Sequence, residues 1–179
     1  MNVLETERLN LRRLEAGDAA FILELLNDPS FLRHIGDKGV RTLEDAARYI
    51  AEGPVASYAR HGFGLWLVEL KNADAGGERR TPAGICGLVK RDTLPDADIG
   101  YAFLPRFCGR GYATEAAAAV LHHAHGALGL KRVVAITVPE NEGSIKVLEK
   151  IGLKFERRIR LSADAPEIML FAARVERAE

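Results

Sequence analysis

Two kinds of hydrophobic spacing alternate along the first third of the chain. Leu9, Leu11 and Leu14 lie among polar residues, which is typical of a strand with one solvent-facing side. Apolar residues then recur at helical spacing after Asp18, a favourable N-cap residue, and again after Thr42. The elements predicted are a strand over 9–14, a helix over 18–26, an irregular stretch over 30–41, and a helix from 42 to about 60 that opens with a capping box and is interrupted near 53–54.

From Phe63 the spacing changes to short runs rich in β-forming residues. The runs LWLVELK and AGICGLVK, joined by the hydrophilic residues 72–80, predict a hairpin with an exposed, mobile connection. Further on, the pattern predicts strands over 98–104, 132–138, 153–161 and 168–175, and helices over 111–128 and 142–151. Elements in this order predict an α+β fold in which helices flank a sheet.

The composition indicates one globular domain without a charge bias. The chain has 179 residues, 25 Lys and Arg against 25 Asp and Glu, and 47% hydrophobic residues, enough to bury a core. The neutral balance argues against nucleic acid or an anionic membrane as partner, and neither a signal peptide nor an apolar span is visible. Cys86 and Cys108 lack metal-binding spacing, so we expect a cytoplasmic protein with free thiols. From the length of the chain we expect a single domain over 1–179.

One glycine-containing segment carries the clearest chemical signal. Residues 106–115, RFCGRGYATE, lie between a predicted strand and a predicted helix. Glycines let the backbone approach a ligand, and the first amides of a helix are unpaired, so the two together form an anion site. We interpret the segment as a pyrophosphate-binding loop. A Walker loop would require Gly-Lys-Ser/Thr, and a dinucleotide-binding fingerprint would require Gly or Ala where Thr114 stands, so neither fits.

The segment and its flanks resemble the GCN5-related N-acetyltransferase (GNAT) superfamily. The acetyl-CoA loop of that family, Arg/Gln-x-x-Gly-x-Gly/Ala, is matched by Arg106, Gly109 and Gly111. The runs DIGYAFLPRFCGRGYATEA, PENEGSIKVLEKIGLKFE and ETERLNLRRLEAGDAAFILELLNDP are similar to the branch that contains the ribosomal-protein N-terminal alanine acetyltransferases. The resemblance covers about 5–172. It implies one acetyltransferase domain with a mixed, mostly antiparallel twisted sheet of about six to seven strands and about four helices.

The same resemblance implies where the co-substrate, acetyl-CoA, binds. Its pyrophosphate would lie against the loop, while Asn141 would contact the CoA arm. Phe103 and Leu104 would offer backbone groups to the pantetheine arm and an amide to the thioester oxygen. The cofactor-binding residues implied in this way are Phe103, Leu104, Arg106, Gly109, Arg110, Gly111, Tyr112, Ala113, Thr114, Asn141 and Ser144.

Acetyl transfer to an amine requires a group that takes the amine proton, and a donor near the departing thiolate helps. The resemblance implies Ser144 as general acid, because Leu148 stands where other branches place a tyrosine. Ile136 stands where several branches place a glutamate base. Asp98 is therefore the candidate base, with a water chain or Glu156 as alternatives.

The acceptor is predicted as a primary amine. The branch similarity favours the α-amine of a protein N-terminus. The alternative acceptors are a polyamine, an amino-acid-like metabolite or an antibiotic. The alternative function is that of a non-catalytic sensor that binds acyl-CoA. His34 lies in the region with which the family roofs the acceptor cleft and is a candidate substrate contact. The histidines at 122, 123 and 125 form no HExxH pattern, so no metal is expected. We expect a monomer or a homodimer.

Overall fold

One mixed sheet organises residues 1–71 and 80–174, which are the residues that the computed structural model describes. The strands are β1 (Asn2–Glu5), β2 (Leu9–Arg13), β3 (Leu65–Lys71), β4 (Arg80–Val89), β5 (Asp98–Phe103), β6 (Arg132–Thr137), β7 (Lys154–Ile159) and β8 (Ile168–Arg174). The helices are α1 (Ala19–Leu26), α2 (Pro29–His34), α3 (Leu43–Ile50), α4 (Ala56–His61), α5 (Tyr112–His125) and α6 (Glu142–Lys150).

The sheet separates between its two central strands. Its order is β1-β2-β3-β4-β5-β6-β8-β7, and all neighbours are antiparallel except β5 and β6, which are parallel. In the described chain these two strands pair at one position, Asp98 opposite Val134, where the amide of Val134 donates to Ala97 O at 3.1 Å. Beyond this pair they diverge, which leaves an opening between the carboxyl ends at Phe103 and Thr137.

Helices cover both faces of the sheet, and strand alternation decides which side chains meet which helices. Tyr101 and Phe103 of β5 belong to the hydrophobic cluster that includes Val120 of α5. Ala102, between them, belongs to the cluster built with α1 and α3. Asp98 has the same parity as Ala102 and therefore faces the α1–α3 side.

Several predicted elements are confirmed. The hairpin of β3 and β4 is antiparallel, with residues 72–79 of its predicted connection lying outside the described residues. Thr42 Oγ1 accepts from Asp45 N at 3.0 Å and the Asp45 carboxylate accepts from Thr42 N at 3.1 Å, which is the predicted capping box. A π-helical turn over Ala51–Val55 interrupts the helix at Pro54, as expected. The α+β fold class is likewise confirmed.

Two local predictions are wrong. The stretch expected to be irregular begins with α2, because Asp28 caps it by accepting from Ser30 N at 2.9 Å and Pro29 occupies its first turn. Residues Asn2–Glu5, assigned to no element, form β1 as an edge strand against β2, so the described sheet has eight strands rather than six or seven. No helix in the described ranges is long and apolar enough to cross a membrane.

Candidate functional site

The connection from β5 to α5 presents a row of unpaired backbone amides. Gly109 and Gly111 both have left-handed backbones, with φ of 77° and 80°. Gly111 is the N-cap of α5, and the first amide to bond back to it is that of Glu115, at 3.0 Å. Within the described chain, none of the six successive amides of 109–114 donates a hydrogen bond.

This row fits a diphosphate. A side chain at Gly109 would meet nothing within 4 Å, so the loop is open on that side. Unpaired amides and the positive end of the helix dipole favour an anion there. The loop residues named from the sequence, Gly109, Arg110, Gly111, Tyr112, Ala113 and Thr114, are the ones that contribute these amides.

Arg8, just before β2, binds the loop between β5 and α5 through its side chain. Its Nη1 donates to Arg110 O at 2.8 Å and its Nε to Glu115 Oε2 at 2.6 Å, and its guanidinium lies 4.5 Å from the centre of the Tyr112 ring. Because the peptide bond is trans, holding Arg110 O toward Arg8 turns the Gly111 amide away from Arg8. Sequence reasoning missed Arg8, since it contacts residues more than 100 positions away.

Glu115 is the anchor for Arg8. Burial tends to raise the pKa of Glu115, but hydrogen bonds from Thr6 and Arg8 outweigh that effect and lower the pKa. The carboxylate therefore stays ionised and keeps Arg8 in place.

Arg106, the first residue of the loop motif, is engaged elsewhere. Its Nη1 lies 2.6 Å from Glu24 Oε1 on α1, and its guanidinium lies 5.1 Å from the Phe107 ring centre. Both charged side chains are about half exposed. In this structure Arg106 ties the loop to α1.

One backbone prediction requires a correction. The amide of Leu104 donates to Ala83 O on β4 at 3.0 Å, so it is not available for a thioester oxygen. Since the backbone groups of successive strand residues point to opposite neighbours, those of Tyr101 and Phe103 point toward β6 and the opening. Phe103 therefore keeps its predicted place beside the opening, whereas Leu104 loses the role of amide donor.

The turn after β6 places Asn141 and Ser144 on the other side of the opening. Asn141 Oδ1 caps α6 by accepting from Ser144 N at 3.2 Å. Ser144 Oγ lies 2.8 Å from the hydroxyl of Tyr101, which also donates to Ser144 O at 3.1 Å. Leu148, one turn further, is buried in the core. Tyr101 thus joins β5 to α6 across the opening.

Asp98 lies where the two central strands begin to diverge. Its side chain is 2% exposed, its Oδ2 is 3.3 Å from Arg91 Nε, and its Oδ1 has no partner in the described chain. Burial raises the pKa of Asp98, and the charge of Arg91 opposes this shift. Ile136 points to the same face as Asp98, because it has the parity of Val134.

The α1–α3 side adds three polar groups. Burial lowers the pKa of Lys38 and raises that of Tyr49, and the charge of Arg91 lowers both. His34 ends α2 and is half-buried, and no hydrogen bond or ion pair joins its ring to the described residues.

Two further expectations concern metals and the alternative base. Glu156, the alternative base, lies on β7, two strands beyond β6 in the sheet. Its carboxylate accepts a hydrogen bond from Arg132 Nη1 at 3.0 Å. Among the described residues, no group of three or more His, Cys, Asp or Glu is arranged to hold a metal ion.

Comparison with known proteins decides the family. Residues 8–154 match the acetyltransferase (GNAT) domain family. This chain belongs to the GNAT family. It is an N-acetyltransferase of the GNAT type, and the loop at 106–111 is the match to the acetyl-CoA motif quoted above.

Three similar proteins illustrate the breadth of the likeness. The uncharacterized Bacillus subtilis protein YkkB is 33% identical over 163 residues, 88% of either chain. The acetyltransferase structure from Agrobacterium tumefaciens superposes with a TM-score of 0.79 at 26% identity, over 95% of this chain and 92% of the other. RimL, a ribosomal L7/L12 alpha-N-protein acetyltransferase solved with coenzyme A, superposes with a TM-score of 0.81 at 17% identity over 98% of each chain, which shows a shared fold.

Proposed function

We propose that this GNAT protein transfers an acetyl group from acetyl-CoA directly to a primary amine, and that the acceptor is the α-amine of a protein N-terminus. The observation that carries the proposal is the row of six unpaired amides over 109–114 at the amino end of α5. Such a row suits the diphosphate of a CoA thioester.

The other cofactor contacts follow from the opening between β5 and β6. The backbone of Phe103 would bind the pantetheine arm, as would the side-chain amide of Asn141, whose NH₂ donates to none of the described residues. Bound acetyl-CoA supplies an acetyl group already activated as a thioester. The protein therefore has to place the amine, take its proton, and offer a donor to the sulfur. Ser144 is the proposed donor.

Asp98 is the proposed base. It is buried, has one unpartnered oxygen, and faces the α1–α3 side. A carboxylate is a weaker base than an amine, so Asp98 suits an acceptor that loses its proton easily. An α-amine has a pKa of about 8, so about a tenth is neutral at pH 7, whereas a lysine amine with a pKa of about 10.4 is neutral in fewer than about one molecule in a thousand. This difference favours the α-amine.

The test is a screen for release of CoA thiol from acetyl-CoA. Acceptors are peptides with different N-terminal residues, the same peptides with a blocked N-terminus and a free lysine, polyamines and aminoglycosides. We expect turnover with free N-termini. Turnover confined to small amines would overturn the acceptor assignment, and no turnover with any amine would overturn the transfer reaction itself.

A glycine variant tests the loop. Gly111→Trp places a bulky side chain at a left-handed position, with its Cβ 3.3 Å from Arg8 Nη2, and should abolish CoA binding in calorimetry. The matched control is Gly129→Trp, since Gly129 also has a positive φ, 66°, beyond the other end of α5 and nothing within 4 Å. Equal loss of CoA affinity in both variants would contradict the loop assignment.

A further inference from the structure

The hydroxyls of Tyr101 and Ser144 form a contact between side chains 43 residues apart. Tyr101 lies on β5 and Ser144 in the first turn of α6, so their contact spans the opening between the central strands. Both residues are partly buried, and the oxygen–oxygen distance of 2.8 Å is that of an ordinary O–H···O hydrogen bond.

The geometry fixes Ser144 at three atoms. Its amide donates to Asn141 Oδ1 at 3.2 Å, its carbonyl accepts from Tyr101 at 3.1 Å, and its hydroxyl shares a bond with the same phenol. The phenol has one proton, which it can direct to Ser144 O or to Ser144 Oγ; when it is directed to Ser144 Oγ, the hydroxyl proton of Ser144 is free to point into the opening.

We propose that Tyr101 is a positioning residue that orients and polarises the Ser144 hydroxyl as a hydrogen-bond donor to the sulfur of CoA. The inference rests on the proposed function, because it needs CoA in the opening between β5 and β6. Two linked hydroxyls form a chain in which each bond strengthens the other, so Tyr101 makes Ser144 a better donor than it would be alone.

The phenol is suited to this role because it stays protonated. Burial raises the pKa of Tyr101 to about 12. The titratable side chain opposite it is Cys86 of β4, whose own pKa is raised by burial, so the thiol is uncharged near neutral pH. Tyr101 therefore donates throughout the range in which a CoA thiol, with a pKa of about 8.5 by analogy with cysteine, ionises.

The overall step balances without another reactant. The amine nitrogen forms a bond to the acetyl carbon, the carbon–sulfur bond breaks, and its electron pair goes to sulfur. Ser144 donates a hydrogen bond to that sulfur, and the proton lost by the amine restores neutrality as the thiolate becomes a thiol. By microscopic reversibility, the same donor stabilises the thiolate of CoA in the binary product complex.

The test is a titration of the CoA thiol in that binary complex, followed by the ultraviolet absorbance of the thiolate. Desulfo-CoA in place of CoA gives the baseline, which removes the contribution of the protein's own cysteines and tyrosines. A donor to the thiolate lowers the thiol pKa, so we expect the acid dissociation constant to rise about tenfold on binding to the wild type. This readout needs neither an acceptor nor turnover.

The variants separate the pair from a merely structural contact. Tyr101→Phe and Ser144→Ala should each abolish most of the shift, the double variant should lose no more, and Ser144→Thr should retain it. Tyr58→Phe is the matched control, since the Tyr58 hydroxyl accepts from Leu14 N and donates to Leu65 O away from the opening. It should lower the melting temperature and leave the thiol pKa unchanged.

The outcomes are distinguishable. A normal shift in Tyr101→Phe with a lost shift in Ser144→Ala would show that Ser144 acts without Tyr101, and would overturn the inference. No shift in wild-type complex that binds CoA would also overturn it. Absence of CoA binding by the wild type would instead overturn the proposed function.

Discussion

The proposed cofactor side and the proposed acceptor side of this site are built in opposite ways. The cofactor side is a continuous stretch of main chain, in which six amides over 109–114 follow one another at the start of one helix. The proposed acceptor side would be assembled from side chains distant in sequence, among them Lys38, Tyr49, Asp98 and Ile136. One side therefore depends on backbone conformation, and the other on residue identity.

This difference explains why the family is easier to assign than the acceptor. Backbone amides require glycines at 109 and 111 but tolerate most neighbours, so the motif is recognisable in a single sequence. The proposed acceptor side depends instead on individual side chains from separate parts of the chain, so no short motif identifies it. The same scaffold can therefore serve many amines, and fold alone does not select among them.

Replacing Asp98 should have the largest effect, because it removes the proposed base from the acceptor side. We expect Asp98→Asn to lower kcat/KM about 100-fold while the affinity for CoA, set on the other side, is unchanged. In the wild type, activity should rise with pH through the pKa of Asp98, which burial raises, and this limb should vanish in the variant. Steady-state rates across pH and calorimetry with CoA measure both quantities.

The same variant should not lose stability at neutral pH. A carboxyl group with a raised folded-state pKa destabilises the fold when ionised, above that pKa, and ceases to do so as pH falls through it. Asp98→Asn should therefore melt at the same temperature as the wild type at pH 8, or higher. A lower melting temperature together with unchanged activity would assign Asp98 a structural role.

Replacing Arg8 should have the next largest effect, and on the cofactor side. Arg8→Met breaks the hydrogen bonds to Arg110 O and Glu115, and a hydrogen bond involving a charged group contributes about 1.5–3 kcal/mol. We expect the Kd for CoA to rise at least about tenfold, with kcat at saturating acetyl-CoA little changed. Arg60→Met, at an exposed arginine in the last turn of α4, is the control. An unchanged Kd in Arg8→Met would show that the loop holds its shape unaided.

The elements that sequence reasoning predicted are those determined by local chemistry. The Thr42 capping box, the β3–β4 hairpin and the glycine loop each depend on residues within a few positions of one another. The short helix α2 carries the same kind of local signal, since Asp28 caps it and Pro29 occupies its first turn, although hydrophobic spacing alone predicts an irregular stretch there.

The contacts that sequence reasoning missed depend on tertiary structure. Arg8 binds Glu115 across 107 positions, and Arg106 binds Glu24 across 82, so no local pattern links them. The sequence names Phe103 and Leu104 together for the amide, and only strand register, which the sequence does not give, shows that the Leu104 amide faces β4. Tyr101 could have been suspected, since it shares a strand face with Phe103.

Replacing Ile136 should have a smaller effect on activity than replacing Asp98 or Arg8. Ile136→Glu adds a second carboxylate on the face that Asp98 occupies, and a further base helps most where the amine is hardest to deprotonate. We expect activity on a lysine-type amine to rise about fivefold relative to an α-amine. The ratio of kcat/KM for the two peptide classes measures this. A ratio that does not move would show that position 136 lies outside the proton path.

The smallest effect should come from the ion pair between Arg106, in the loop before α5, and Glu24 of α1. Because both side chains are about half exposed, the pair contributes little, and we expect Arg106→Gln or Glu24→Gln to change the Kd for CoA by about twofold or less. If Arg106 instead leaves Glu24 to bind phosphate when CoA arrives, the two variants will diverge. Glu24→Gln would then tighten CoA binding by freeing the arginine, whereas Arg106→Gln would weaken it by a larger factor. Calorimetry on both variants and on the double variant therefore decides whether the motif arginine belongs to the cofactor side or tethers the loop to α1.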